Sequence, residues 1–246
     1  MTIHLLPAPP PLEALAAGRP LALFLDFDGT LVDIAPTPDT IHVPADMPAR
    51  LHALSGRLEG RLALVSGRAI ANLEEHLGPL AIARAGSHGS DCRAADGTLL
   101  GEQARGLPPE ALEDVATFAS EHGFATEDKP HGAALHFRSD PSLEDTGLSF
   151  ARELAAAHGL VVKQGKCVIE LVASGADKAG AVRAFMAVAP FAGATPVFVG
   201  DDVTDEDGMR AAREMGGLGV AVGERPSENA SFSLASPAAV HHWLQL

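Results

Sequence analysis

Three times along this chain a short, uninterrupted apolar run stops at a polar residue. Leu21-Ala-Leu-Phe-Leu25 ends at Asp26, Leu62-Ala-Leu-Val65 at Ser66, and Pro196-Val-Phe-Val-Gly200 at Asp201. A strand that is apolar at every residue must be buried on both faces, the environment of a parallel sheet covered by helices. Segments of helical character separate the runs. One is capped by Asp46, carries Pro48 in its first turn and continues to about Ser55; another runs from about Ala69 to Leu77 and stops at Gly78-Pro79. With a third strand over Ala81–Ala85, the first 85 residues spell β-α-β-α-β. In an open sheet of that kind, ligands bind outside the carboxyl ends of the strands, where the runs break off.

The rhythm changes in the middle of the chain. Asp96-Gly97 signals a hairpin turn. Helices over about 110–122 and 141–158, each closed by glycine, alternate with strand pairs over about 124–128 and 133–138, then 160–164 and 167–172. The parallel pattern resumes after Gly175. A helix covers about 177–188, Pro196–Gly200 is a buried strand, and a helix over about 204–215 precedes a strand at Gly217–Gly223. Ser236 caps a last helix with Pro237 at its first position. The expected fold class is α/β. A doubly wound parallel-sheet core, residues 1–102 and 175–246, holds an inserted smaller α+β domain at 103–174.

Composition narrows the function. Of the 246 residues 46% are hydrophobic and 20% charged, enough for a sizeable core. The formal net charge is −14, which argues against nucleic acid and against an anionic membrane surface as partners. An anionic substrate would therefore need local cations or a metal. The two cysteines, Cys92 and Cys167, make neither a disulfide framework nor a zinc site. The N-terminus has no basic segment, and Pro7, Pro9, Pro10 and Pro11 break its apolar stretch, so a cytoplasmic protein is expected. Nothing sets the oligomeric state, and a monomer is compatible with the sequence.

Four polar sites fall at or just beyond the carboxyl ends of the core strands: Asp26 with Asp28, Ser66, Lys178, and Asp201 with Asp202 and Asp205. Right-handed crossovers bring them together. Asp26 can attack phosphorus as a carboxylate nucleophile. Asp28 can protonate the leaving oxygen and then deprotonate water. The later aspartates form a hard oxygen site suited to Mg²⁺. Lys178 and the Ser66 hydroxyl would bind phosphoryl oxygens. Each feature alone has a plainer reading: a turn after a strand, an acidic run favouring a helix dipole, a solvated lysine. Four in order at matching strand ends favour a site.

Leu25-Asp-Phe-Asp-Gly-Thr-Leu31, Val65-Ser-Gly-Arg68, Lys178 and Gly200-Asp-Asp-Val-Thr-Asp-Glu-Asp207 resemble the four motifs of the haloacid dehalogenase (HAD) superfamily. Within it, Ala85-Gly-Ser-His-Gly89 and Glu127-Asp-Lys-Pro-His-Gly-Ala-Ala-Leu-His-Phe-Arg138 resemble the trehalose-6-phosphate phosphatases, as does Gly165-Lys166 followed by Glu170. The resemblance spans about residues 20–245. It implies a HAD-like core whose insert is a cap closing over a sugar phosphate, trehalose 6-phosphate. It implies catalysis by Asp26, Asp28, Ser66 and Lys178, and Mg²⁺ held by Asp26, the Asp28 carbonyl and Asp201, with Asp202 and Asp205 in support. It offers Glu127, Lys129, His136, Arg138, Lys166 and Glu170 for sugar hydroxyls, with His88 and Gly89 on the core side. Arg68 belongs to the same substrate group, ordering its loop or pairing with an acid. His136 and Arg138 would share one face of a strand. His241-His242-Trp243 would pack a C-terminal helix on the core. Other sugar phosphates such as sucrose 6-phosphate, a phosphomutase, and a phospho-receiver module are the competing readings.

Overall fold

The computed structural model describes residues 6–35, 40–101, 106–129, 132–165, 167–173 and 177–246, without the side chains of 128 and 129. The chain divides into two compact units, Met1–Gln103 with Asp177–Leu246, and Ala104–Ala176. A short helix, α1 (Leu12–Leu15), precedes β1 (Leu21–Leu25), α2 (Met47–Arg57), β2 (Leu62–Val65), α3 (Ile70–Leu77), β3 (Ala83–Gly86) and β4 (Asp91–Arg93). The second unit contains α4 (Pro109–His122), β5 (Ala125–Lys129), β6 (Gly132–His136), α5 (Glu144–His158), β7 (Leu160–Gly165) and β8 (Val168–Ala173). The first unit resumes with α6 (Lys178–Met186), β9 (Thr195–Gly200), α7 (Asp205–Glu214), β10 (Leu218–Val222), β11 (Ala230–Leu234) and α8 (Pro237–Leu244).

Seven strands form the first unit's sheet in the order β11-β10-β9-β1-β2-β3-β4. Every pairing is parallel except β3 with β4. The unbroken apolar runs are explained by helices on both faces. Leu21, Leu23 and Leu25 join one buried cluster with residues of α2, α3 and α8, such as Leu51, Leu73 and Val240. Ala22 and Phe24 join the other, with Val182 and Phe185 of α6 and Met209 of α7. The strand order turns at β1, which has β2 on one side and β9 on the other. The carboxyl end of β1 is thus the switch point of the sheet, where a ligand crevice opens.

In the second unit four antiparallel strands run β5-β6-β8-β7. Ala133, Leu135, Ile169 and Leu171 alternate onto one face and are buried with Ala111, Val115, Ala151 and Leu154 of α4 and α5. The opposite face carries the polar partners of that alternation. Register sets Glu127, Ala134, Glu170 and Lys163 in one row across the sheet. Gly123 and Gly159 close α4 and α5 in the left-handed conformation.

Three local expectations need correction. Asp46 does not cap α2 through its side chain; its carboxylate instead accepts from Arg50 one turn on, at 2.6 and 2.9 Å. Arg138 does not share a strand face with His136. The strand ends at His136, because Asp140 caps the helical turn Pro141–Leu143 and the chain turns between Phe137 and Asp140 to reach it. The strands β4 and β11 and the helix α1 were not foreseen. At the C-terminus, Trp243 donates to the Pro10 carbonyl at 2.8 Å and Val240 and Leu244 are buried, so α8 does pack on the core. Among the described residues no helix is long and apolar enough to cross a membrane.

Candidate active site

Asp26 leaves the end of β1 and is fixed at once, its N–H donating to the Val199 carbonyl of β9 at 2.9 Å. Only 4% of it is exposed. Lys178 opens α6 because Asp177 caps that helix, accepting from Gly180 N–H at 2.7 Å. Its ammonium is also buried and donates to Asp26 Oδ1 and Asp205 Oδ1, both at 2.6 Å. Asp205, first residue of α7 and fully buried, accepts through Oδ2 from the Asp202 N–H at 2.8 Å. Both Asp205 oxygens are therefore engaged, which makes it a brace for Lys178 and for the loop after β9.

Burial pushes the Asp26 carboxyl well above the ordinary carboxylate range; Asp205 adds to this and Lys178 opposes it. Burial lowers Lys178, but Asp26 and Asp205 outweigh it and hold the ammonium protonated. Burial, then Asp205 and Asp202, raise Asp201 to about 6. The site thus concentrates more negative charge than its one buried lysine balances.

The donor set fits a metal. Carboxylate oxygens of Asp26, Asp201 and Asp205 lie within 4.8 Å of one another. Asp201 Oδ1 is buried without a hydrogen-bond partner among the described residues. Gly29, at φ +76°, lets the chain turn against that carboxylate; a Cβ there would lie 2.1 Å from Asp201 Oδ2. An all-oxygen set of this charge suits a hard divalent cation.

Asp28 is held differently. Both its oxygens accept from Arg68, from Nε and Nη2, each at 2.7 Å. Arg68 Nη1 donates to Asn72 Oδ1 of α3, also at 2.7 Å. Arg68 thus pairs with an acid, and the acid is Asp28. Asn72 went unnoticed in the sequence; it stands in the first turn of α3, just after the loop that carries Arg68. Ser66 is fully buried and its Oγ accepts from the Arg68 N–H at 3.1 Å. Gly67 and Arg68, rather than Ser66, line the cavity of about 660 Å³ into which Asp26, Asp28, Lys178, Asp201 and Asp202 face. His88 lines it too. Gly89 does not; at φ +104° it lets the β3–β4 turn approach α6, where a Cβ would lie 2.2 Å from the Asp177 carbonyl.

In the second unit, the exposed Glu127 accepts through Oε2 from Nε2 of the half-buried His136 ring at 3.0 Å. Glu127, His136 and Glu170 fall on the same face of the sheet by register. Arg138 is exposed in a turn. Lys166 and the Lys129 side chain lie outside the described residues.

The sequence model of the trehalose-phosphatases matches residues 24–238. The chain belongs to that family. It is 36% identical over 231 residues to the trehalose-6-phosphate phosphatase of Escherichia coli K12, covering 92% of this chain and 85% of that protein. Over 219 residues it is 40% identical to a Sinorhizobium fredii protein named "Probable trehalose-phosphate phosphatase", covering 87% and 82%. The fold matches the structure of Aspergillus fumigatus trehalose-6-phosphate phosphatase with a TM-score of 0.76 at 24% identity, over 98% and 97% of the two chains. A HAD-superfamily phosphatase from Bacteroides thetaiotaomicron matches with a TM-score of 0.70 at 17% identity, over 94% and 95%. The family member described here has the HAD fold, a parallel α/β core with an additional antiparallel sheet.

Proposed function

We propose that this chain hydrolyses trehalose 6-phosphate to trehalose and phosphate, with Mg²⁺ as cofactor and Asp26 as nucleophile. The observation that carries the reading is the buried contact of Lys178 with Asp26 and Asp205, where Lys178, Asp26 and Asp201 line the cavity, in a trehalose-phosphatase family member. An Asp26 oxygen attacks phosphorus, and the bond from phosphorus to the sugar oxygen breaks. Asp28 delivers a proton to that leaving oxygen, then takes one from the water that attacks the aspartyl phosphate and frees Asp26. Because Arg68 binds both Asp28 oxygens, the proton transfer requires that at least one be released from the fork. Lys178 offsets charge on the phosphoryl oxygens, while Ser66 braces the loop carrying Gly67 and Arg68. Asp26, Asp201 and the Asp28 carbonyl would hold Mg²⁺, with Asp202 and Asp205 in support; the ion would supply the positive charge that keeps Asp26 ionised and an anionic substrate bound in an acidic protein.

The inserted segment 103–174 is assigned as the cap that selects the sugar. A disaccharide offers many hydroxyls and little apolar surface, so selection needs charged groups left unpaired by a wrong sugar. Glu127, Lys129, His136, Arg138, Lys166 and Glu170 are the candidates, with His88 from the core; Gly89, packed against α6, is not retained. The test is phosphate release with Mg²⁺ from trehalose 6-phosphate, sucrose 6-phosphate, glucose 6-phosphate and an aryl phosphate. Marked preference for trehalose 6-phosphate is expected; equal rates on all four would remove the sugar assignment.

A further inference from the structure

The loop that carries Asp201 and Asp202 is gripped from outside the cavity by a residue that no motif contains. Arg225 lies between β10 and β11. Its Nε donates to the Asp201 carbonyl and its Nη2 to the Asp202 carbonyl, both at 3.0 Å. Nη1 donates to the Pro226 carbonyl at 2.8 Å. Nη2 also meets Glu206 Oε1 of α7 at 2.7 Å. The other Glu206 oxygen accepts from the Asn229 backbone N–H and side-chain amide, both at 3.0 Å. One planar guanidinium therefore spans two consecutive carbonyls, and a carboxylate anchored at both ends holds the guanidinium in place.

This matters because the Asp201 side chain has little else to fix it. Its Oδ1 is buried without a hydrogen-bond partner among the described residues, and the Gly29 backbone closes against Oδ2. The direction of the carboxylate is set by the peptide on which it stands. We propose that Arg225, held by Glu206, is a positioning residue for the metal loop, aiming the Asp201 carboxylate at the cation it shares with Asp26. The proposal deepens the phosphatase reading and rests on it for the identity of the cation.

The test reads Mg²⁺ binding directly, by calorimetry on the full chain without substrate, beside activity as a function of Mg²⁺. Arg225→Ala is expected to weaken Mg²⁺ binding about tenfold, the low end for loss of an outer partner of a metal ligand. Half-saturating Mg²⁺ in the activity assay should rise by the same factor, with KM for the phosphate ester at saturating Mg²⁺ unchanged. Glu206→Gln, which keeps the shape and loses the charge, should shift Mg²⁺ affinity in the same direction by less, and it serves if Arg225→Ala fails to fold. Combining the two should give less than the sum of the separate losses. Mg²⁺ affinity left at the wild-type value in both variants, or a fall in melting temperature with no change in Mg²⁺ affinity, would overturn the proposal. Weakened Mg²⁺ binding in a protein that hydrolyses no phosphate ester would sustain the loop assignment while sinking the phosphatase reading.

Discussion

The carboxyl end of β1 and the open face of the second unit's sheet are built on opposite terms. At the first, Asp26, Lys178 and Asp205 are buried, and backbone or carboxylate contacts of 2.6–2.9 Å fix each of them. At the second, Glu127 is exposed and His136 half-buried; they stand on strands whose other face makes the core and share one hydrogen bond. Low dielectric makes every charge at the first site strong and every misplacement costly. On the open face a single contact is screened, and selectivity has to accumulate over several residues. The difference teaches that chemistry can be concentrated on a few buried atoms, whereas recognition of a hydroxylated substrate is shared.

Substitutions should separate the two regions, the severest first. Asp26→Asn should reduce turnover of both trehalose 6-phosphate and an aryl phosphate to background with the fold intact by circular dichroism; residual turnover of either would place the nucleophile elsewhere. Lys178→Met strands two buried carboxylates and should cost ~3–5 kcal/mol in chemical denaturation of the metal-free protein, besides abolishing turnover. A loss below 1 kcal/mol, on the order of a surface pair, would deny the site its buried character. Glu127→Ala should lower kcat/KM for trehalose 6-phosphate by about 10- to 100-fold, the worth of one charge-assisted hydrogen bond, and spare the aryl ester. Equal losses on both substrates would erase the distinction between the regions.

The smallest effect is one of pH. The Asp201 carboxyl is raised from 3.8 to about 6 in the folded chain. Its contribution to stability is therefore full below about pH 4 and is lost as pH rises through about 6. Asn cannot ionise, so metal-free Asp201→Asn should gain melting temperature relative to wild type across that window. Mg²⁺ at neutral pH should stabilise wild type and leave the variant little changed. A constant difference between the two melting curves would mean that Asp201 is not strained by its neighbours.

How much of this was legible depended on whether local sequence or distant pairing decides the structure. Leu21–Leu25, Leu62–Val65 and Pro196–Gly200 announce buried strands because burial on both faces leaves no freedom in residue type. The strand Ala230–Leu234 was missed because Ala-Ser-Phe-Ser-Leu is half polar; it is a strand because β10 beside it offers an edge, with a register shift at Gly219–Val220. Asp46 looked like a cap, but the spacing that suits a cap also suits a pair with Arg50, and the pair prevails. Asp26, Lys178 and Asp201 could be found because their motif positions follow strand ends or open a helix. A pairing of Arg68 with an acid was legible, but not that the acid is Asp28, nor the grip of Arg225 on the Asp201 carbonyl, since both contacts join segments 24 to 40 residues apart.

The proposed mechanism requires Asp26 to carry the phosphoryl group during turnover. The most direct measurement is mass spectrometry of the peptide containing Asp26, from enzyme quenched in acid during turnover of trehalose 6-phosphate with Mg²⁺. One added phosphoryl group on Asp26, absent from Asp26→Asn and without substrate, is the predicted result. Turnover with that peptide unmodified at every quench time, or the phosphoryl group on another residue, would contradict it.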